Sequence, residues 1–247
     1  MKVFCGYNEK YDHFLKQVVD YVLEQYGYTL DTRNLKEIEL VREIEDNVLS
    51  DGRLEACGTR IVLSERKYRK LPYLDISRLK EDDAFRSVVS TLVHEMGHAT
   101  DMIRMPTMYR QVFDSEENLT LETVATLLFL EYIANLRTDA IYTGEHNTFC
   151  LQVAKGMWNK YRDWPPDFAF YNMAKISVYF LVRTTINNNR DYYLKIMNDV
   201  LYSEFLEALE RALTLTYQCL PFDDSKCCFR IRDVLNEYIH RFEAKYC

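Results

Sequence analysis

Between residues 11 and 26 the apolar positions Phe14, Val18, Val19 and Val22 recur at helical spacing, and Gly27 follows them. This predicts a first helix that ends at Gly27. From Leu35 to Ile44 the pattern changes to alternation through Ile38 and Leu40, which predicts a strand. Asp51-Gly52 is a turn signal between strands. Residues 54–57 and 59–63 read as two further short strands flanking Gly58, so a small three-stranded sheet is expected before residue 70. After Pro72 the period returns to that of a helix. Ala84, Val88, Val89, Leu92, Val93 and Met96 predict one over residues 82–105, stopped by Pro106.

The run Ser115-Glu116-Glu117-Asn118 reads as a helix entry, and residues 119–142 as a long helix ending near Gly144. Helical patterns then cover residues 147–162, 168–187, 191–217 and 225–246, with breaks at Pro165-Pro166 and Asn187-Asn188-Asn189. The expected fold class is α+β and mainly helical. A small N-terminal sheet, antiparallel or mixed, packs on the helix of residues 82–105, and the C-terminal half is helical. Residues 1–146 form the expected catalytic core, and residues 147–247 a helical subdomain or a continuation of the same domain.

Composition sharpens this picture. Only 7 Gly and 5 Pro among 247 residues disfavour a many-stranded sandwich. Tyr at 19 and Phe at 13 supply a dense aromatic core. The net charge of −7 argues against nucleic acid as a partner, because phosphate contacts need a basic stripe. The densest basic stretch, Arg66, Lys67, Arg69 and Lys70, is short and reads as a solvated turn. No apolar run is long enough for a membrane span, and Met1 to Gly6 leads into charged residues without a signal-peptide pattern. Seven cysteines without a paired CxxC spacing fit reduced thiols. A cytoplasmic protein with no membrane partner is expected.

The candidate chemistry is concentrated in Ser87-Val88-Val89-Ser90-Thr91-Leu92-Val93-His94-Glu95-Met96-Gly97-His98. On a helix, residues four apart lie one turn apart on one face, so His94 and His98 can bind one metal ion together. Zinc accepts imidazole and carboxylate ligands in tetrahedral geometry, and a catalytic site keeps one position for water. Glu95, next to His94, can then take a proton from that water.

This His-Glu-x-x-His run, inside an amphipathic helix that follows the β-branched Arg60-Ile61-Val62-Leu63, resembles a zincin metallopeptidase. Thr91-Leu92-Val93 before the motif and Ala99 after it match the uncharged residues usual there, whereas Thr100 departs from the usual apolar residue. The resemblance covers residues from about 54 to 142. It implies a zinc-dependent metallopeptidase with bound Zn2+, a peptide or protein substrate, and Glu95 as the group that activates water. The three-histidine branch of the family is excluded, because Asp101 stands at its glycine and Arg104 at its third histidine.

The gluzincin branch draws its third ligand from a downstream glutamate on a second helix. Glu131, 33 residues after His98, is the best match, and a carboxylate in so apolar a run is costly to bury unless paired or coordinating. Glu122 and Asp101 compete for the same role. Asn135 stands where the family often has an aspartate that orients a ligand histidine. Asp101 is also a candidate partner behind the ligands, and Tyr142 and His146 are candidate donors for transition-state charge. The strand at Arg60–Leu63 is expected to be an edge that aligns an extended peptide. The rival class is a catalytically inactive or structural zinc-binding module that recognises a protein partner.

Overall fold

The computed structural model describes residues 1–44, 52–68, 82–114, 120–138, 141, 166–187 and 199–246. The fold is α+β and mainly helical, with one four-stranded mixed sheet near the N-terminus. The chain divides into two compact units. The first comprises Met1–Arg104 and Arg137–Tyr142, and the second Met105–Leu136 and Thr143–Cys247.

In the first unit, β1 (Lys2–Cys5) is followed by α1 (Lys10–Tyr26), β2 (Glu37–Val41), β3 (Gly52–Glu55), β4 (Arg60–Ser64), the one-turn α2 (Glu65–Tyr68) and α3 (Asp83–Arg104). The strand order is β1-β2-β4-β3. β1 pairs in parallel with β2, and β2 in parallel with β4, while β3 runs antiparallel to β4. A parallel pair needs a crossover, which α1 supplies between β1 and β2. Phe14, Leu15, Val18, Val19 and Val22 of α1 share one core with Ile38, Leu40, Ile61 and Leu63 of the sheet. Phe85, Val88, Val89, Leu92, Val93 and Met96 of α3 complete it. Asp82 caps α3: its Oδ1 accepts from the backbone N–H of Ala84 at 2.7 Å and of Phe85 at 3.2 Å.

Several expectations change here. The sheet has four strands, because Lys2–Cys5 adds β1. The strand expected over residues 54–57 ends at Glu55, and Ala56–Gly58 form a 3-10 turn. Arg60–Leu63 belongs to an interior strand between β2 and β3. The expected Asp51-Gly52 turn falls partly outside the described residues, and Gly52 opens β3.

The turn before β4 places Cys57 at φ 51 and Gly58 at φ 82, both left-handed. A Cβ at Gly58 would stand 2.2 Å from Met102 Sδ on α3. Gly58→Ala is therefore expected to lower stability by about 2 kcal/mol, from left-handed strain and the Met102 contact together. Urea denaturation measures it. A loss below about 0.5 kcal/mol would mean that the turn relaxes and Met102 swings aside.

The second unit contains α4 (Pro106–Asp114), most of α5 (Leu121–Thr138), α6 (Pro166–Asn187), α7 (Val200–Gln218) and α8 (Phe229–Tyr246), with a 3-10 turn at Ser225–Cys228. Its core is aromatic: the ring of Phe205 lies 5.4 Å from Phe170, 5.4 Å from Tyr238 and 5.9 Å from Phe242. Asp199 caps α7 by accepting from Tyr202 N–H at 3.1 Å. Pro106 both follows the end of α3 and opens α4. Proline is well suited to a first helical position because its missing N–H is not needed there. Asp223 Oδ1 accepts from Thr107 and Met108 N–H at 2.9 and 3.0 Å and caps that helix. The helix expected over residues 147–162 lies outside the described residues. No described helix is long and apolar enough to cross a membrane.

Candidate metal centre

α3 buries one face in the sheet core and turns another toward its two histidines. His94 and His98 are each partly buried, one turn apart, with Nε2 atoms 3.0 Å from each other. Their rings meet edge to face at 88°, with centroids 4.6 Å apart. Glu131, on α5, is the third member of the group. The ligand atoms of His94, His98 and Glu131 all lie within 4.8 Å of one another, so these residues could hold a metal ion.

The donor set fits such an ion on its chemistry. Two imidazole nitrogens and one carboxylate oxygen suit a borderline divalent ion. Ligand atoms around a tetrahedral zinc stand about 3.4 Å apart, close to the 3.0 Å between the two nitrogens. For both Nε2 lone pairs to face one cation, each ring must carry its proton on Nδ1.

Glu95 is 6% exposed and lies beside β3. A Cβ on Gly52 would stand 2.9 Å from Glu95 Cγ and 3.0 Å from its Oε1. The missing side chain at position 52 thus lets an edge strand approach this carboxylate closely.

The last turn of α5 is tied to α3. Arg137 Nη1 and Nη2 each donate to an oxygen of Asp101, which is buried. Arg137 Nη1 also reaches the carbonyl of Gly97 at 3.5 Å. A Cβ at Gly97 would come within 3.2 Å of that nitrogen, so the glycine of the motif makes room for the guanidinium. Burial pushes the Asp101 carboxyl above the usual carboxylate range, against the opposing pull of Arg137.

Glu131 is held from α6. Lys175 Nζ lies 3.1 Å from its Oε1, and Tyr179 donates its hydroxyl to Oε2 at 2.8 Å. Lys175 and Tyr179 are four residues apart and therefore share a helix face. The Glu131 carboxylate, above all, holds the Lys175 ammonium well above the ordinary lysine range, and Tyr179 adds to this.

The other candidates have separate positions. Glu122 accepts from Ser225 Oγ at 2.8 Å and is not in the group that could hold a metal ion among the described residues. Asn135 is buried, and its side-chain amide donates to the Glu131 backbone carbonyl at 2.7 Å. Tyr142 and His146 lie outside the described residues.

Sequence reasoning did not find Lys175, Tyr179, Gly52 or the role of Arg137. One signal was present, a lone lysine in the otherwise uncharged stretch Met173-Ala174-Lys175-Ile176-Ser177-Val178-Tyr179-Phe180. Such a charge asks for a partner. No protein-family model matches the chain, and neither a curated protein nor a solved structure matches it.

Proposed function

We propose that this protein is a zinc-dependent hydrolase that cleaves peptide bonds. The observation that carries the reading is the convergence of His94, His98 and Glu131 on one another, with Glu95 the neighbour of His94 on the same helix. His94, His98 and Glu131 would hold the ion. When bound, such an ion acts as a Lewis acid that acidifies water and polarises a carbonyl.

The chain's own residues do the rest. Glu95 takes a proton from the attacking water and passes it to the departing amine. Its burial against Gly52 limits the carboxylate to few orientations, which favours a positioned base over a freely solvated one. The substrate-aligning role moves from Arg60–Leu63 to β3. Among the described strands β3 is a sheet edge, and a Cβ at its first residue would run into Glu95. An extended peptide added to that edge would bond to strand backbone and carry a scissile bond along the line of Gly52.

The test is metal content together with cleavage. The purified protein is expected to hold about one equivalent of zinc by elemental analysis. His98→Ala is expected to weaken that binding by at least about a hundredfold, since loss of a direct ligand should exceed the loss of a residue behind one. The wild-type protein should cleave members of a peptide library, detected by mass spectrometry. Zinc held through His98 without cleavage of any peptide would favour the inactive binding module instead. Zinc binding unaffected by His98→Ala would remove the proposed centre.

A further inference from the structure

Both oxygens of the Glu131 carboxylate are engaged by one face of α6. Lys175 Nζ stands 3.1 Å from Oε1, and Tyr179 donates to Oε2 at 2.8 Å. A structural explanation alone would be a half-buried ion pair that pins two helices. Two features make that incomplete. The carboxylate is the one anionic member of the group that could hold a metal ion, the other two being imidazoles. The partner brought to it is also a full positive charge, where a neutral donor such as the tyrosine would have satisfied a lone pair without opposing a cation.

We propose that Lys175 is a built-in counter-cation that weakens metal binding at the His94–His98–Glu131 centre, with Tyr179 as the neutral group that keeps the carboxylate in place. This rests on the reading of that centre as a metal site.

The charges give the direction. Glu131 and Lys175 sum to zero, so an arriving divalent ion meets a carboxylate that is already compensated. A carboxylate offers about four lone-pair directions. Lys175 meets Oε1 and Tyr179 meets Oε2, so neither holds the whole carboxylate, and the effect of Lys175 on an ion there is electrostatic. Side-chain exposures of 13% for Glu131 and 32% for Lys175 leave this repulsion only partly screened by water. A centre tempered in this way fills and empties with the surrounding metal concentration and does not retain its ion at every concentration. Tyr179 fixes Oε2 without adding charge, so position and affinity are set by different residues.

The experiment is zinc affinity of the full chain, measured by competition with a chromophoric chelator. It uses the wild-type protein, Lys175→Met, Lys175→Gln and Lys175→Arg. Thermal melting accompanies each variant, and the neutral variant that retains the wild-type melting curve is the one compared. The neutral variants are expected to bind zinc at least about tenfold more tightly than wild type, because a unit charge near the ion is gone. Lys175→Arg keeps the charge and is expected to stay within about threefold of wild type, a result that a purely steric role for lysine would not give. Unchanged or weaker binding in both neutral variants overturns the inference and leaves the metal site standing. Tighter binding that survives His94→Ala in the same chain places the zinc elsewhere and overturns both. Zinc binding by a neutral variant alone, with none by wild type, supports the inference but overturns the expectation that the wild-type protein holds about one equivalent of zinc. No binding by any of the proteins overturns both readings.

Discussion

Replacing Glu95 with glutamine is expected to lower turnover by about a hundredfold to ten-thousandfold while leaving zinc content at the wild-type level. The change removes the proton acceptor. Glutamine has the shape of glutamate, which matters at a side chain only 6% exposed and packed against Gly52. Neither histidine nor Glu131 is altered, so the group that could hold a metal ion keeps all its members. The loss should fall on kcat, since Glu95 is asked to act in the proton-transfer step and not in holding the peptide. Single-turnover cleavage of a library-selected peptide, with elemental analysis of the same sample, measures both quantities. Cleavage at the wild-type rate would end the assignment of Glu95 as the base. Loss of zinc along with activity would mean that Glu95 helps to hold the ion.

The motif on α3 was legible because its signal is local. A His-Glu-x-x-His spacing and an apolar stripe both lie within one helix, and helical periodicity is enough to place them. Glu131 was legible for a different reason: a carboxylate in an apolar run needs a partner, wherever that partner comes from. What escaped the sequence depended on distant residues. β1 is only four residues long, too short for periodicity, and is a strand because β2 pairs with it in parallel. α4 was hidden because Pro106 reads equally as a stop and as a start, and the cap that decides it, Asp223, is 116 residues from Thr107. The interior position of β4 had a visible clue. Ile61, Val62, Leu63 and Ser64 are buried in succession, whereas β2 alternates. A continuous apolar strand is more often covered on both faces. Lys175 stood out as a lone charge in an uncharged stretch, but that its partner is Glu131, and that Tyr179 joins it there, depended on how α6 packs.

Removal of Arg137 is expected to cost more stability than the other substitutions considered. Asp101 is 2% exposed at its side chain and Arg137 20%, and the guanidinium grips both carboxylate oxygens. In Arg137→Met the aliphatic stem is retained but the buried carboxylate loses its cation, a change that typically costs about 3–5 kcal/mol. Asp101→Asn in the same chain removes the stranded charge, so the double variant is expected to recover part of that loss. Urea denaturation of the two single variants and the double gives the coupling directly. The pH dependence has a definite sign. Burial already raises the folded-state pKa of Asp101, and without Arg137 that pKa rises further. A carboxyl raised on folding binds its proton more tightly in the folded state. Its contribution is therefore fully present below the unfolded value of about 3.9 and lost as pH rises through the folded value. The deficit of Arg137→Met should accordingly be larger at pH 7 than at pH 5, and Asp101→Asn should remove most of that difference. A loss below about 1 kcal/mol, flat with pH, would show that water reaches the carboxylate and that this pair behaves as a surface salt bridge. The larger, pH-dependent loss would identify it as a structural tie between the histidine-bearing helix and the last turn of the helix that carries Glu131.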